Sequence, residues 1–165
     1  MKKMLSILLA VMMIATLALT GCGQNNDPTP DPAPTTRTFT DSLGREVTLP
    51  ANLSKIAISG PLAQIVVFAI APEMMVGIAN GWADEAKGLI PDEYYNLPLL
   101  GQLYGGKGEL NLETLLQSGA EVVIDVGEQK DGMADDLNAL QEQTGIPFVH
   151  IDCYTGSCLL YTSPS

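Results

Sequence analysis

The chain alternates between segments that are wholly apolar, wholly polar and periodically mixed. Residues 5–19 form an almost unbroken apolar run, whereas 23–36 contain no large apolar side chain. From residue 39 the pattern becomes that of a folded domain. Two short strands are predicted across 39–50, with Gly44 supplying the turn between them. Strand-like and helix-like stretches then follow each other. Lys55 to Ser59 reads as a buried strand, 62–71 as a helix that opens at Gly60-Pro61 and stops before Pro72, and 75–79 as a second strand. Asn111 is a predicted N-cap for a helix ending at Gly119, with Glu113 in its first turn. Residues 121–126 read as a third strand, 131–144 as a helix with Met133, Leu137 and Leu140 on one face, and 147–151 as a fourth strand. Repeated βα units predict an α/β fold with a parallel sheet, preceded here by a small β-hairpin.

Composition narrows the range of partners. The 165 residues are 46% hydrophobic and 16% charged, with 8 Lys and Arg against 19 Asp and Glu, a formal charge of −11. Lys2 and Lys3 fall in a segment expected to be removed, which leaves the remainder at −13. Phosphate contacts need a basic face, so nucleic-acid binding is excluded. The N-terminal pattern is that of an export signal over 1–21: a short positive start, then an apolar run short for a spanning helix of about 20 residues. It ends in Leu19-Thr20-Gly21-Cys22, which resembles the bacterial lipobox, and Cys22 is the expected lipidation site. Two acyl chains on one cysteine anchor stably where one would be marginal. Residues 22–38 then read as a tether whose alternating prolines favour extended polyproline II. The expected location is the extracytoplasmic face of a bacterial cell membrane.

The ordered series Asp41-Ser-Leu-Gly-Arg-Glu-Val-Thr-Leu-Pro50, Lys55-Ile-Ala-Ile-Ser, Met75-Val-Gly-Ile-Ala, Asn111-Leu-Glu-Thr-Leu-Leu, Glu121-Val-Val-Ile-Asp and Thr144-Gly-Ile-Pro-Phe-Val resembles the N-terminal lobe of the iron-siderophore and cobalamin type of periplasmic binding protein. The resemblance covers residues 39–152. It implies one α/β lobe of a two-lobed receptor that captures a chelated metal (an iron-siderophore or haem) or a corrinoid and delivers it to the permease of an ABC importer. The second lobe and the long helix that joins the two in that family have no counterpart here. The tail, 153–165, is set apart: Cys158-Leu-Leu-Tyr-Thr-Ser resembles a translated sequencing-library adapter, so a truncated or artefactual end is expected.

In parallel sheets ligands bind where loops leave the carboxyl ends of strands, which selects the candidate residues. Asn80 and Trp82 follow the predicted second strand. Trp82 has two readings, a ring that stacks on a chelate or one that packs in the fold. Tyr104 and Lys107 lie in a glycine-rich loop before the Asn111 helix, where the phenol could stack or donate and the ammonium attract an anionic siderophore. Glycines also serve ordinary turns. Pro61 at the first helix start and Glu128 after the third strand complete the ligand-binding set. The resemblance gives Glu113 a place on the lobe surface where it docks to a permease arginine; helix capping explains the same residue without a partner. Gly101 to Lys107 has the spacing of a phosphate loop, but Gly108 stands where a Ser or Thr must hold magnesium. The single His150 reads as structural, and its isolation argues against a bare-metal site. No catalytic residue, metal site or resident cofactor is expected. The alternative reading is a cell-surface anchored α/β enzyme or interaction module.

Overall fold

A computed structural model describes residues 35–104 and 109–153. The signal segment, Cys22, most of the tether, Lys107 and residues 154–165 therefore lie outside the described residues. The hairpin pairs β1 (Thr36–Thr40) with β2 (Glu46–Pro50), antiparallel, Thr36 opposite Pro50 and Thr40 opposite Glu46. Its first strand begins three residues before the expected boundary at 39, because Thr36, Arg37 and Thr38 find ladder partners in Pro50, Leu49 and Thr48. In β2, Val47 and Leu49 are buried while Glu46 and Thr48 face solvent, the period-two pattern of a half-buried strand.

The hairpin turn is built on Asp41. Its Oδ1 accepts the backbone N–H groups of Leu43 and Arg45, both at 3.0 Å. Oδ2 accepts the Arg45 guanidinium through Nε at 3.0 Å and Nη2 at 2.7 Å. The same guanidinium donates to the Phe148 carbonyl at 2.6 Å and to Asn138 Oδ1 at 2.9 Å, which fastens the turn to the rest of the domain.

The second sheet is parallel, in the order β3 (Ile56–Ile58), β4 (Val122–Gly127), β5 (Phe148–Asp152). Between β3 and β4 run α1 (Pro61–Ile70), the single turn α2 (Asp92–Tyr95) and α3 (Leu112–Ser118); α4 (Met133–Thr144) connects β4 to β5. Asn111 Oδ1 caps α3 by accepting the Thr114 N–H at 3.0 Å, and Gly119 ends it in the left-handed conformation, as the sequence predicts. Ala57, Ile58, Leu100, Leu115, Leu137 and Phe148 have essentially no exposed surface and form the centre of the core. Each large side chain among them contributes about 1.5–3 kcal/mol of burial.

Two expected elements differ. Residues 75–79 do not form a ladder strand. They make single bridges on two sides, Met75 to Ile56 and Ile78 to Leu99, with Val76 donating to the Ile56 carbonyl at 3.0 Å. The segment passes from one partner to the other at Gly77, where a Cβ would overlap the Leu100 side chain. The helix expected from 131 starts instead at Met133, because Gly132, with φ of 78°, stands outside right-handed helical space.

Candidate functional site

A cleft of about 170 Å³ opens at the carboxyl ends of β3 and β4. Ser59 and Pro61 line it from the β3–α1 junction, Asp125 from β4, Glu128 and Lys130 from the loop after β4, and Tyr104 from the segment before α3. Parallel β3 and β4 end side by side, so the turns that leave them converge. Tyr104 is brought in by its neighbour: Leu103 donates its N–H to the Ser59 carbonyl at 2.7 Å.

The floor is a buried three-residue array. Ser59 Oγ donates a hydrogen bond to Asp125 Oδ1, and His150 Nδ1 lies 2.7 Å from Asp125 Oδ2. His150 is fully buried on β5, and its Nε2 has no hydrogen-bond partner. The Nδ1 contact ties the ring to the Asp125 carboxylate and leaves Nε2 as a buried polar atom on its far side. Ser, Asp and His are the residue types of a hydrolytic triad, yet the order here is different. The carboxylate stands between hydroxyl and imidazole, so the imidazole does not contact the serine hydroxyl as it does in that triad. The array fixes the rotamer of Asp125.

At the rim, Lys130 Nζ lies 4.8 Å from the centre of the Tyr104 ring, and the Tyr104 hydroxyl donates to Asp136 Oδ2 at 3.4 Å. Burial, with the negative charges of Asp136 and Asp125 added, pushes the phenol up to about 12, so it remains a hydrogen-bond donor across the physiological range.

Of the residues selected from sequence, Pro61, Tyr104 and Glu128 meet in this cleft. Trp82 does not line it. Its ring packs 5.0 Å from Phe68, which in turn meets Tyr94 edge-on at 5.9 Å, and its indole N–H donates to the Tyr94 carbonyl at 3.1 Å. Asn80 is also elsewhere, clamped through its backbone. Its N–H donates to Gln64 Oε1 at 3.1 Å and its carbonyl accepts from Gln64 Nε2 at 3.2 Å. Glu113 is exposed on α3, where it accepts from Gln117 at 3.2 Å. Asp125 and Lys130 were not in the sequence-derived set. Asp125 carried a usable signal, a carboxylate interrupting the apolar run of a strand at its carboxyl end. Among the described residues, no group of three or more His, Cys, Asp or Glu comes together as metal ligands would.

No family model matches the chain, and no curated protein does. Solved structures do match. A solute-binding protein of an ABC transporter from Sulfurospirillum deleyianum aligns with a TM-score of 0.59 and 20% identity, over 71% of this chain and 36% of its own. A periplasmic solute-binding protein from Veillonella parvula gives 0.55 and 20%, over 71% and 35%. The molybdate periplasmic binding protein MolA of Haemophilus influenzae, bound to molybdate, gives 0.52 and 24%, over 70% and 34%. The chain thus spans about a third of the length of these proteins, and its fold is that of a partial lobe of a periplasmic solute-binding protein.

Proposed function

We propose that this chain is the N-terminal lobe of a substrate-binding component of an ABC importer, held at the extracytoplasmic membrane face by a lipid on Cys22, and that its cargo is a chelated metal or corrinoid of the siderophore, haem or cobalamin type. The observation that carries the reading is the cleft at the carboxyl ends of β3 and β4, on a fold shared with solute-binding proteins. Its mixed lining suits a large ligand with polar and apolar faces: Tyr104 offers a ring and a donor, Asp125 and Glu128 acceptors, Lys130 a charge, and Met133 and Leu62 apolar surface. Ligand pockets run to about 300–1,000 Å³. At about 170 Å³ this cleft can hold one edge of such a ligand, which fits a site completed by a second lobe.

The complete gene product, titrated calorimetrically with ferric siderophores, haem and cobalamin, should bind at least one of them with micromolar or tighter affinity. A folded two-lobed protein with no response to any of the three sinks the cargo assignment. The permease role of Glu113 separates from cargo capture. Its carboxylate is exposed and away from the cleft, so Glu113→Ala should lower uptake about 10-fold while leaving cargo affinity within about 2-fold. Undiminished uptake would remove the docking role.

A further inference from the structure

The lining of the cleft carries a charge preference. Asp125 and Glu128 contribute two carboxylates, and Lys130 contributes one ammonium that lies against the Tyr104 ring. The N-terminus of α1 adds a partial positive charge of roughly one half, and Pro61 at its first position removes one of the N–H groups that could meet an anion. Among the described residues the acceptors therefore prevail. Asp125 matters most because it cannot turn away: its side chain is 8% exposed, and its two oxygens are held by Ser59 after the end of β3 and by His150 in the middle of β5. A carboxylate fixed in this way cannot swing out to make room for an anion, and a bare oxyanion over it would meet like charge in a partly dry site. The Tyr104 phenol is pushed up first by burial and then by the negative charges of Asp136 and Asp125.

We infer that this cleft selects ligands that present a positively charged or hydrogen-bond-donating group to Asp125, and that it discriminates against anionic chelates. Asp125 is the specificity-determining residue, and Ser59 and His150 are positioning residues. The inference rests on the reading of the cleft as one wall of a ligand site, and the test below separates the two.

Three probes of graded charge distinguish the outcomes on the complete gene product: ferrioxamine B, a ferric trihydroxamate with a free ammonium; its N-acetylated form, which lacks that charge; and a ferric tris-catecholate trianion. Calorimetry should give ferrioxamine B about a 10-fold advantage over the N-acetylated form and a larger one over the trianion, narrowing as salt is raised. Asp125→Asn should reduce the first ratio to about 2-fold. Ser59→Ala keeps the carboxylate but frees one oxygen, and should give an intermediate ratio. Because the wild-type comparison needs no variant, a misfolded Asp125→Asn protein leaves the test intact. Equal affinity for the two trihydroxamates, or tightest binding of the trianion, overturns the charge preference and leaves the importer reading standing. No binding of any of the three by folded protein overturns the charge preference, and the haem and cobalamin titrations above then decide the cargo reading.

Discussion

Arg45 and Asp41 form a buried ion pair outside the cleft. The two side chains are 9% and 0% exposed, and the guanidinium also reaches the Phe148 carbonyl and Asn138, so one residue ties hairpin, β5 and α4 together. Removing one partner of a buried ion pair strands the other charge. Arg45→Ala should therefore destabilise the domain by about 3–5 kcal/mol, read as a lower midpoint in urea, whereas replacing the exposed Arg37 should change little. The pair also sets an acid limit. Burial alone would raise the Asp41 carboxyl, but the hydrogen bonds from Arg45 and from the His150 N–H outweigh it and hold the group below its ordinary value. A carboxyl depressed in the folded state stabilises above its unfolded value, near 3.8, and loses that contribution as pH falls through the lower folded value. Stability measured from pH 6 down to pH 2 should fall below about pH 4, and Asp41→Asn, though less stable at neutral pH, should show a shallower acid slope. An unchanged slope would mean that other carboxylates set the limit.

At the scale of elements, the loops that frame the cleft are held by close approaches rather than by ladders. Gly101 adopts φ of 79°, and a Cβ on it would overlap the Glu109 carbonyl oxygen, which belongs to backbone and cannot move aside. Gly101→Ala combines left-handed strain with that overlap and should cost at least about 2 kcal/mol, with loss of the Asn111 N–H bond to the Leu100 carbonyl visible as faster amide exchange at Asn111. Normal exchange and stability in this variant would show that the loop is not set by Gly101. Such tertiary constraints explain which elements were legible in the sequence. The α3 cap, the β2 alternation and the parallel βα order follow from local chemistry, so Asn111, Gly119, Val47 and Leu49 announce them. Residues 75–79 have the composition of a strand, but their pairing is decided by the distant Leu100, whose side chain packs closely over Gly77. The candidate site divides in the same way. Tyr104, Pro61 and Glu128 follow from the rule that ligands gather at strand ends. The roles of Trp82 and Asn80 depend on Phe68, Tyr94 and Gln64, whose proximity no spacing encodes.

At the scale of the whole molecule, the outer side of α1 stands apart from the rest of the described surface. Leu62, Ile65, Val66 and Ile70 are all exposed along it, with Ile65 at 61% and Ile70 at 76%, while the one polar side chain of the helix, Gln64, is turned inward to hold Ala79 and Asn80. The usual polarity of a surface helix is inverted here. A contiguous apolar strip of this kind marks a surface that gains by being covered, and when uncovered it promotes association. In the 165-residue chain the strip should bind a hydrophobic dye and favour concentration-dependent self-association in sedimentation experiments. The double substitution Ile65→Lys and Ile70→Glu removes the two most exposed apolar side chains without touching the buried Ala63, Gln64 and Val67. It should abolish most dye binding and leave stability within about 0.5 kcal/mol, since neither side chain contributes to the core. A large loss of stability would instead show that these residues pack in solution, and unchanged dye binding would place the accessible apolar surface elsewhere, for which the exposed Leu89 and Leu99 are the next residues to test.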